Sequence, residues 1–221
     1  GGRPRDPYVA PDGKVWFVGQ AGNYVASFDP RTEAFRRYEI EDDTNPHTVI
    51  VDGDGFAWYA GNRNGRIGKL DPKTGDVKTY MTGEARDPHT MVFDGAGHIW
   101  FTSQQSNRIG RLDMQTGKFQ LATAHDTPAR PYGIVMDEQG RPWVSLLGTN
   151  KVVPLDPKTL ALEHFPEATP DSRSRRIEVT ADGSVWYGDE PRGFLGRIDP
   201  KSGKVQEYAM PGGATSKPYV L

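Results

Sequence analysis

The segment PHTVIVDGDGFAWYAGNRNGRIGKLDPKTG at residues 46–75 returns as PHTMVFDGAGHIWFTSQQSNRIGRLDMQTG at residues 88–117, displaced by 42 positions. The tryptophans of the chain repeat at nearly this interval, with separations of 42, 42, 43 and 43 residues. They are Trp16, Trp58, Trp100, Trp143 and Trp186. A period in this range is typical of an array of equivalent units, so the sequence predicts a tandem repeat.

Each repeat contains four short β-type segments separated by turns. In the unit around Trp58, strands are predicted near residues 48–52, 56–60, 66–70 and 76–81. An Asp follows each Trp by 13 residues and opens a turn such as Asp-Pro-Lys-Thr-Gly, in which proline fixes the second position. No ten-residue stretch repeats apolar residues at helical spacing. The sequence therefore predicts an all-β propeller in which each repeat of about 42 residues is one four-stranded blade.

The repeat divides the chain into five blades and the start of a sixth. The approximate bounds are residues 3–44, 45–86, 87–129, 130–172 and 173–215, followed by 216–221. The linker before the first strand returns at Gly212, so one extra strand is expected at the end of the chain. Natural propellers close by pairing strands from both termini, because open sheet edges invite association. We therefore expect a single propeller domain, or a fragment of one, that is part of a longer ring and either leaves an open arc or self-associates through its incomplete edges. A complete five-bladed ring is the alternative.

Composition and charge narrow the functional classes. The 26 Gly and 18 Pro fit many short strands joined by tight turns. A net charge of −2 gives no field to attract nucleic acid, and no apolar stretch is long enough to span a membrane. The absence of Cys fits either redox environment. We expect a soluble protein without nucleic-acid or membrane partners, and the compartment, bacterial cytoplasm or export, stays open.

The two sides of the predicted blades differ in how strictly they repeat. In an antiparallel blade, the start of the inner strand and the loop between the second and third strands lie on one side. The turns on the other side are nearly identical in every unit, whereas the loops between the second and third strands differ from unit to unit. The variable loops span residues 19–23, 61–65, 103–107, 146–150 and 189–193. Their divergence predicts that a small-molecule or peptide ligand binds on this variable-loop side, at the mouth of the channel.

The residue 11 positions before each Trp begins the inner strand, which lines the channel of a propeller. The residues at this position are Arg5, His47, His89, Tyr132 and Arg175, with Tyr219 in the unfinished unit. All are large and polar or aromatic, so they would offer hydrogen-bond donors to an anionic or carbonyl-rich ligand. The predicted ligand-binding residues are Arg5, Tyr132 and Arg175, with Asn64, Asn107 and Arg192 on the loops above them. The same pattern also fits side chains that merely pack the channel and bond to water.

Several motifs point to a known family. Pro46-His47-Thr48 recurs as Pro88-His89-Thr90, and Trp100-Phe101-Thr102 is followed by Asn107-Arg108-Ile109-Gly110-Arg111-Leu112-Asp113. These motifs, which run along the whole chain, resemble the repeat of the streptogramin lyase family, the virginiamycin B lyase type. The resemblance implies a seven-bladed propeller with a magnesium-dependent active site at one mouth of its channel. It also implies the opening of cyclic depsipeptides at their ester bond by elimination.

The resemblance assigns roles to four residues. A family histidine serves as general base and is matched by His47 and His89, although threonine follows each of them where glycine is usual. Family glutamates hold the metal, one of them three residues after the repeat Trp. At that position only Asp189 is a carboxylate here, with Glu190 beside it. The resemblance therefore implies His47 and His89 as catalytic residues, and Asp189 and Glu190 as Mg²⁺ ligands completed by other units.

Three functions of different class stay open. One is a carbon–oxygen lyase, and another is a non-catalytic propeller that holds a small anionic ligand, a glycan or a protein on the variable-loop side. The third is a sugar-lactone hydrolase, which would need several carboxylates around a metal, whereas the residues predicted at the channel mouth are basic. A zinc site at His47 and His89 is disfavoured because no third ligand accompanies them. An enzyme and a binding protein are therefore the main alternatives.

Overall fold

A computed structural model describes residues 2–125, 128–163 and 171–219 of the chain. Within these ranges the regular structure consists of 19 strands and one short 3-10 helix, Gly213–Thr215. No helix in the described part is long and apolar enough to cross a bilayer. The all-β architecture predicted from the repeat is therefore present.

The first two repeats form four-stranded antiparallel sheets. The first sheet consists of β1 (Pro4–Val9), β2 (Val15–Gly19), β3 (Tyr24–Asp29) and β4 (Ala34–Glu39). The second consists of β5 (Pro46–Val51), β6 (Ala57–Gly61), β7 (Arg66–Leu70) and β8 (Val77–Met81). In both sheets each strand pairs with the next one along the chain, which is the topology predicted for a blade.

The later repeats follow the same plan. The third sheet consists of β9 (Pro88–Phe93), β10 (His98–Ser103), β11 (Arg108–Asp113) and β12 (Phe119–Thr123). The fourth contains β13 (Pro131–Met136), β14 (Pro142–Leu146) and β15 (Lys151–Pro154), and an isolated bridge joins Leu155 to Leu162. The fifth consists of β16 (Ser174–Val179), β17 (Val185–Asp189), β18 (Phe194–Ile198) and β19 (Val205–Ala209). The repeat places the outer strand of the fourth unit near residues 161–166, of which 164–166 lie outside the described part.

The chain divides into two compact units, Gly1–Met91 and Val92–Leu221, with the boundary inside β9. The single domain expected from the sequence stays a prediction. Residues 217–219, where the extra strand was predicted to begin, carry no strand, and residues 220–221 lie outside the described part.

The inner strands begin within one residue of the predicted positions. Their first residues are Pro4, Pro46, Pro88, Pro131 and Ser174. In four of these strands the pairing register shifts directly after the start, between Arg5 and Tyr8 in β1, for example. A bulge of this kind changes the direction in which the next side chains point. In these four strands the residue predicted to line the channel therefore lies at the edge of a bulge.

The repeat tryptophans form the centre of the packing between strands. Trp58, Trp100 and Trp143 are fully buried and Trp16 is 3% exposed, whereas Trp186 is only half-buried. An acceptor six residues earlier binds the indole N–H in four repeats. The Nε1–acceptor distances are 2.8 Å to Asp52, 3.3 Å to Asp94, 3.0 Å to Asp137 and 3.0 Å to Thr180. Because an indole N–H needs a partner when buried, this bond supports Trp58, Trp100 and Trp143 in their blades.

Glycine on the third strand of a blade makes room for the aromatic residue that follows the Trp. A Cβ on Gly68 would lie 2.1 Å from the ring of Tyr59, and a Cβ on Gly110 would lie 2.2 Å from the ring of Phe101. Both rings are fully buried. The Arg-Ile-Gly motif of the sequence therefore serves packing, because any larger residue would displace a buried ring.

Candidate functional site

Two histidines at equivalent repeat positions are stacked in the first unit. His47 in β5 and His89 in β9 are 3% and 4% exposed, and their ring centroids lie 3.5 Å apart with an interplanar angle of 32°. Each Nδ1 faces the hydroxyl of the following threonine, at 3.3 Å for Thr48 and 2.9 Å for Thr90. The threonines that replace the usual glycine therefore help to orient the rings.

A carboxylate from β1 joins this pair. The Thr48 hydroxyl donates to Asp6 Oδ2 at 2.7 Å, and the same oxygen lies 3.4 Å from His47 Nδ1. Asp6 has a backbone φ of +50°, which is uncommon for a residue other than glycine. Asp6 is not among the site residues predicted from the sequence. The signal available was a lone carboxylate ten residues before a repeat Trp, where the other repeats have Thr, Thr, Gly and Arg.

The other predicted ligand-binding residues of the first unit have partners inside the fold. Arg5 Nη1 donates to Gln20 Oε1 at 2.8 Å. The Asn64 amide donates to Thr44 Oγ1 at 2.9 Å, which connects the variable loop to the linker between the first two repeats. Their predicted role in ligand binding stays a prediction.

In the second unit, Arg175 lies between two tyrosine rings. Its guanidinium carbon is 5.6 Å from the ring centroid of Tyr132 and 5.2 Å from that of Tyr219. The two tyrosine hydroxyls are hydrogen-bonded to each other, and the rings meet edge to face at 6.4 Å. Burial, with a smaller effect of the hydrogen bond to Tyr219, raises the pKa of Tyr132 to about 12. The cluster therefore joins a permanent guanidinium cation to a buried phenol, that of Tyr132, which stays neutral at neutral pH.

Asp189 and Glu190, the predicted metal ligands, are ion-paired to arginines. Glu190 Oε2 lies 2.5 Å from Arg175 Nε, and Asp189 Oδ2 lies 2.9 Å from Arg192 Nη1. Arg192 also binds both carboxylate oxygens of Glu207, at 2.8 and 3.0 Å. Burial raises the pKa of Asp189, against the opposing effects of the Arg173 N–H and the Arg192 cation.

These contacts do not fit a magnesium site. Mg²⁺ needs carboxylate oxygens arranged around one point, whereas each of these two carboxylates already faces a guanidinium. Among residues 2–125, 128–163 and 171–219, no group of three or more His, Asp or Glu side chains is arranged to hold a metal ion. A magnesium requirement stays an expectation from the resemblance.

Asn107, whose role in ligand binding stays a prediction, connects the third variable loop to the linker that follows the third repeat. Its amide donates to the His125 carbonyl at 2.8 Å, and its oxygen accepts from the Ala129 N–H at 2.9 Å. Its backbone φ of +54° places it at the left-handed position of the loop, which Asn tolerates better than most residues. Both ends of the side chain are therefore occupied by backbone groups.

A cleft of about 820 Å³ lies among the repeated turns of the first unit. The buried Trp16 and Tyr38 and the exposed Phe35 are among its lining residues, together with Asp and Lys side chains of the turns. This volume is within the range of small-molecule sites. The sequence predicts ligand binding on the variable-loop side. A binding experiment must therefore distinguish that side from this cleft.

Comparison with known proteins assigns the chain to a family. Residues 3–128, more than half of the chain, match the family model described as the Virginiamycin B lyase family. No curated protein sequence matches the chain.

Three solved structures are similar over nearly the whole chain. Selenomethionine-substituted virginiamycin B lyase from Staphylococcus aureus is 23% identical with a TM-score of 0.88, over 98% of this chain and 73% of that one. A streptogramin B lyase structure is 25% identical with a TM-score of 0.90, over 99% and 72%. A catalytically inactive histidine-to-alanine variant of the S. aureus protein with quinupristin is 21% identical with a TM-score of 0.87, over 95% and 71%. The predicted fold class is confirmed by these matches.

Proposed function

The chain belongs to the virginiamycin B lyase family, and from this premise we propose that it is a carbon–oxygen lyase that opens cyclic depsipeptides by elimination. The stacked histidine pair of the first unit is the observation that carries the proposal. His47 and His89 are the buried imidazoles that the family resemblance assigns to proton abstraction, and threonine hydroxyls orient both of them.

The reaction requires a base and no water. An imidazole removes the proton α to a carbonyl, and the electrons of that C–H bond form a carbon–carbon double bond. The C–O bond on the neighbouring carbon breaks, and the ester leaves as a carboxylate. Imidazole suits this step because it exchanges protons near neutral pH. The crystallised relative with quinupristin, in which one histidine is replaced by alanine, is described as catalytically inactive, which supports a histidine base here.

The second unit holds, by itself, groups that suit an oxygen-rich ligand. Arg175 has donors left for carbonyl oxygens beside its contact with Glu190, because a guanidinium carries five N–H groups. The hydroxyls of Tyr132 and Tyr219 lie next to it. We assign this cluster a role in ligand binding and not in proton transfer, because Tyr132 stays neutral at the pH at which the enzyme would work.

Magnesium is not assigned a step. The carboxylates of Asp189 and Glu190 are paired to arginines, so the ion would have to bind elsewhere or with ligands from other segments. A chelator decides this point: loss of turnover in EDTA with recovery on addition of Mg²⁺ would establish the requirement.

The test is turnover of a type B streptogramin such as quinupristin, followed by mass spectrometry. Elimination opens the ring without changing the mass, whereas hydrolysis adds one water. His47→Ala and His89→Ala should each lower kcat by about 10²–10⁴-fold. His125→Ala, which removes a histidine outside the pair, is the matched control and should leave kcat within about twofold. A wild-type chain that leaves the depsipeptide intact would refute the lyase.

The alternative is a binding protein without catalysis, and the Tyr132–Arg175–Tyr219 cluster is the observation that favours it. A guanidinium between two aromatic rings is a ready donor for an anionic ligand, a glycan or an acidic protein segment. In that case Arg175→Gln would abolish binding measured by calorimetry, while both histidine variants would bind as the wild type does.

A further inference from the structure

We propose that Asp6 is a positioning residue that, through Thr48, fixes the imidazole of His47 with its proton on Nδ1 and leaves Nε2 as the basic nitrogen. The proposal rests on the proposed function for the role of Nε2 as the base. The assignment of the tautomer rests only on the contacts of Asp6, Thr48 and His47.

The direction of the hydrogen bonds determines the tautomer. A carboxylate accepts and does not donate, so the Thr48 hydroxyl must give its proton to Asp6 Oδ2 over the 2.7 Å contact. The Thr48 oxygen is then an acceptor for His47 Nδ1 at 3.3 Å, and Asp6 Oδ2 is a second acceptor at 3.4 Å. Both groups beside Nδ1 accept, so a neutral imidazole carries its proton there. Nε2 keeps its lone pair.

The backbone conformation of Asp6 is a second observation that supports its role in positioning His47. Among the five residues at this repeat position, Asp6 alone has a positive φ, +50°. The equivalent residues are Thr48, Thr90, Gly133 and Arg176. The register of β1 also shifts between Arg5 and Tyr8, directly around it. A sparsely populated conformation persists only where its surroundings fix it, and such residues cluster at functional sites.

The ring of His47 is also held from its flat side. The His89 ring lies 3.5 Å away, and the Asp6 side chain is itself only 16% exposed. The His89 imidazole and the Asp6 carboxylate are among the titratable groups that face His47. A ring fixed by stacking and by acceptors at Nδ1 has one orientation, which is the requirement for a base that must reach a single C–H bond.

The variants separate the tautomer from general destabilisation. Asp6→Ala removes the acceptor and frees the Thr48 hydroxyl to donate to Nδ1, which should move the ring proton to Nε2. Asp6→Asn keeps a carbonyl oxygen that can accept from Thr48, so it is the conservative variant and should retain the wild-type tautomer. Asp12→Ala removes a carboxylate that pairs with Lys14 at 2.6 Å in an exposed turn and is the matched control.

The first measurement is the ¹⁵N chemical shift of the His47 ring nitrogens at about pH 8, where an ordinary imidazole is neutral. A His47→Gln spectrum assigns the signals. The wild type, Asp6→Asn and Asp12→Ala should show a protonated Nδ1 and a bare Nε2, and Asp6→Ala should show the reverse. A wild-type ring protonated on Nε2, or an Asp6→Ala spectrum identical to the wild type, would overturn the proposal.

The second measurement is turnover of the depsipeptide. Asp6→Ala should lower kcat by about tenfold or more with KM changed less than about twofold, and Asp6→Asn should restore most of kcat. Equal kcat values in Asp6→Ala and the wild type would refute the positioning role. If the tautomer shifts as expected but the wild type gives no turnover, the lyase proposal fails and the assignment of Asp6 and Thr48 stands.

Discussion

The indole hydrogen bond of the repeat gives the sharpest prediction for stability, and Asp52→Ala is the change that tests it. Asp52 Oδ2 accepts the N–H of the fully buried Trp58 at 2.8 Å. Its other oxygen accepts the backbone N–H groups of Asp54 at 3.1 Å and Phe56 at 2.9 Å, which closes the turn between β5 and β6. One side chain therefore supports both the core and the turn.

The expected cost follows from these three bonds. A buried donor left without its acceptor costs about 1–3 kcal/mol, and this applies to the indole N–H of Trp58. The two backbone N–H groups lie in a turn that water can reach, so their loss costs about 0.5–1 kcal/mol in total. Asp52→Ala should therefore lower the free energy of unfolding by about 1.5–4 kcal/mol. In a protein of this size that is a fall of roughly 10 °C in Tm.

Urea unfolding of a double-mutant cycle isolates the bond. Asp52→Ala, Trp58→Phe and the double variant should show a coupling energy of about 1–2 kcal/mol, because Trp58→Phe already removes the donor. Asp71→Ala is the matched control, since Asp71 accepts the Lys73 N–H at 2.8 Å in an exposed turn and should cost less than about 1 kcal/mol. Additive effects of the two substitutions, or an Asp52→Ala cost no larger than that of Asp71→Ala, would show that the bond is not stabilising.

Two further predictions concern the same element in other repeats. Trp100→Ala should cost about 3–5 kcal/mol in urea unfolding because the side chain is fully buried, whereas Trp186→Ala should cost less because Trp186 is half-buried; equal costs would contradict this reasoning. Burial alone would raise the pKa of Asp94, but hydrogen bonds from groups including the His98 N–H hold it below the ordinary value. The ionised carboxylate therefore stabilises the fold above about pH 4, and this contribution is lost as the pH falls further. Thermal unfolding between about pH 2 and 6 should show a steeper acid loss for the wild type than for Asp94→Asn, and parallel curves would contradict the assignment.

The fold was predictable because its signals are local and repeated. The interval between tryptophans fixes the repeat, and the glycine and proline turns fix where each strand ends. The starts of the inner strands, such as Pro46 and Pro88, accordingly lie within one residue of the predicted positions. The acceptors of the indole N–H were missed, although Asp52, Asp94 and Asp137 stand six residues before their Trp and the pattern was visible in the sequence.

The candidate site was predictable in position but not in the role of each residue. The interval of 11 residues before the Trp selected both members of the stacked pair, His47 and His89. The same rule could not show that Arg5 is bound to Gln20, because that contact depends on a loop of its own repeat. A periodic position determines where a side chain lies, whereas its partners depend on neighbours that the period does not specify.

The contact between Asp6 and Thr48 shows how such partners can be found in a repeat protein. The two residues are 42 positions apart and occupy the same place in consecutive repeats, so they face each other because adjacent inner strands are adjacent in space. When every repeat carries the same residue at a position, the contacts between repeats are the same and serve packing. A single carboxylate among Thr, Thr, Gly and Arg breaks that equivalence and gives the Thr48 hydroxyl a charged acceptor. Differences within one repeat position, more than the residues that recur, therefore indicate where this chain has adapted a uniform scaffold to a specific chemical task.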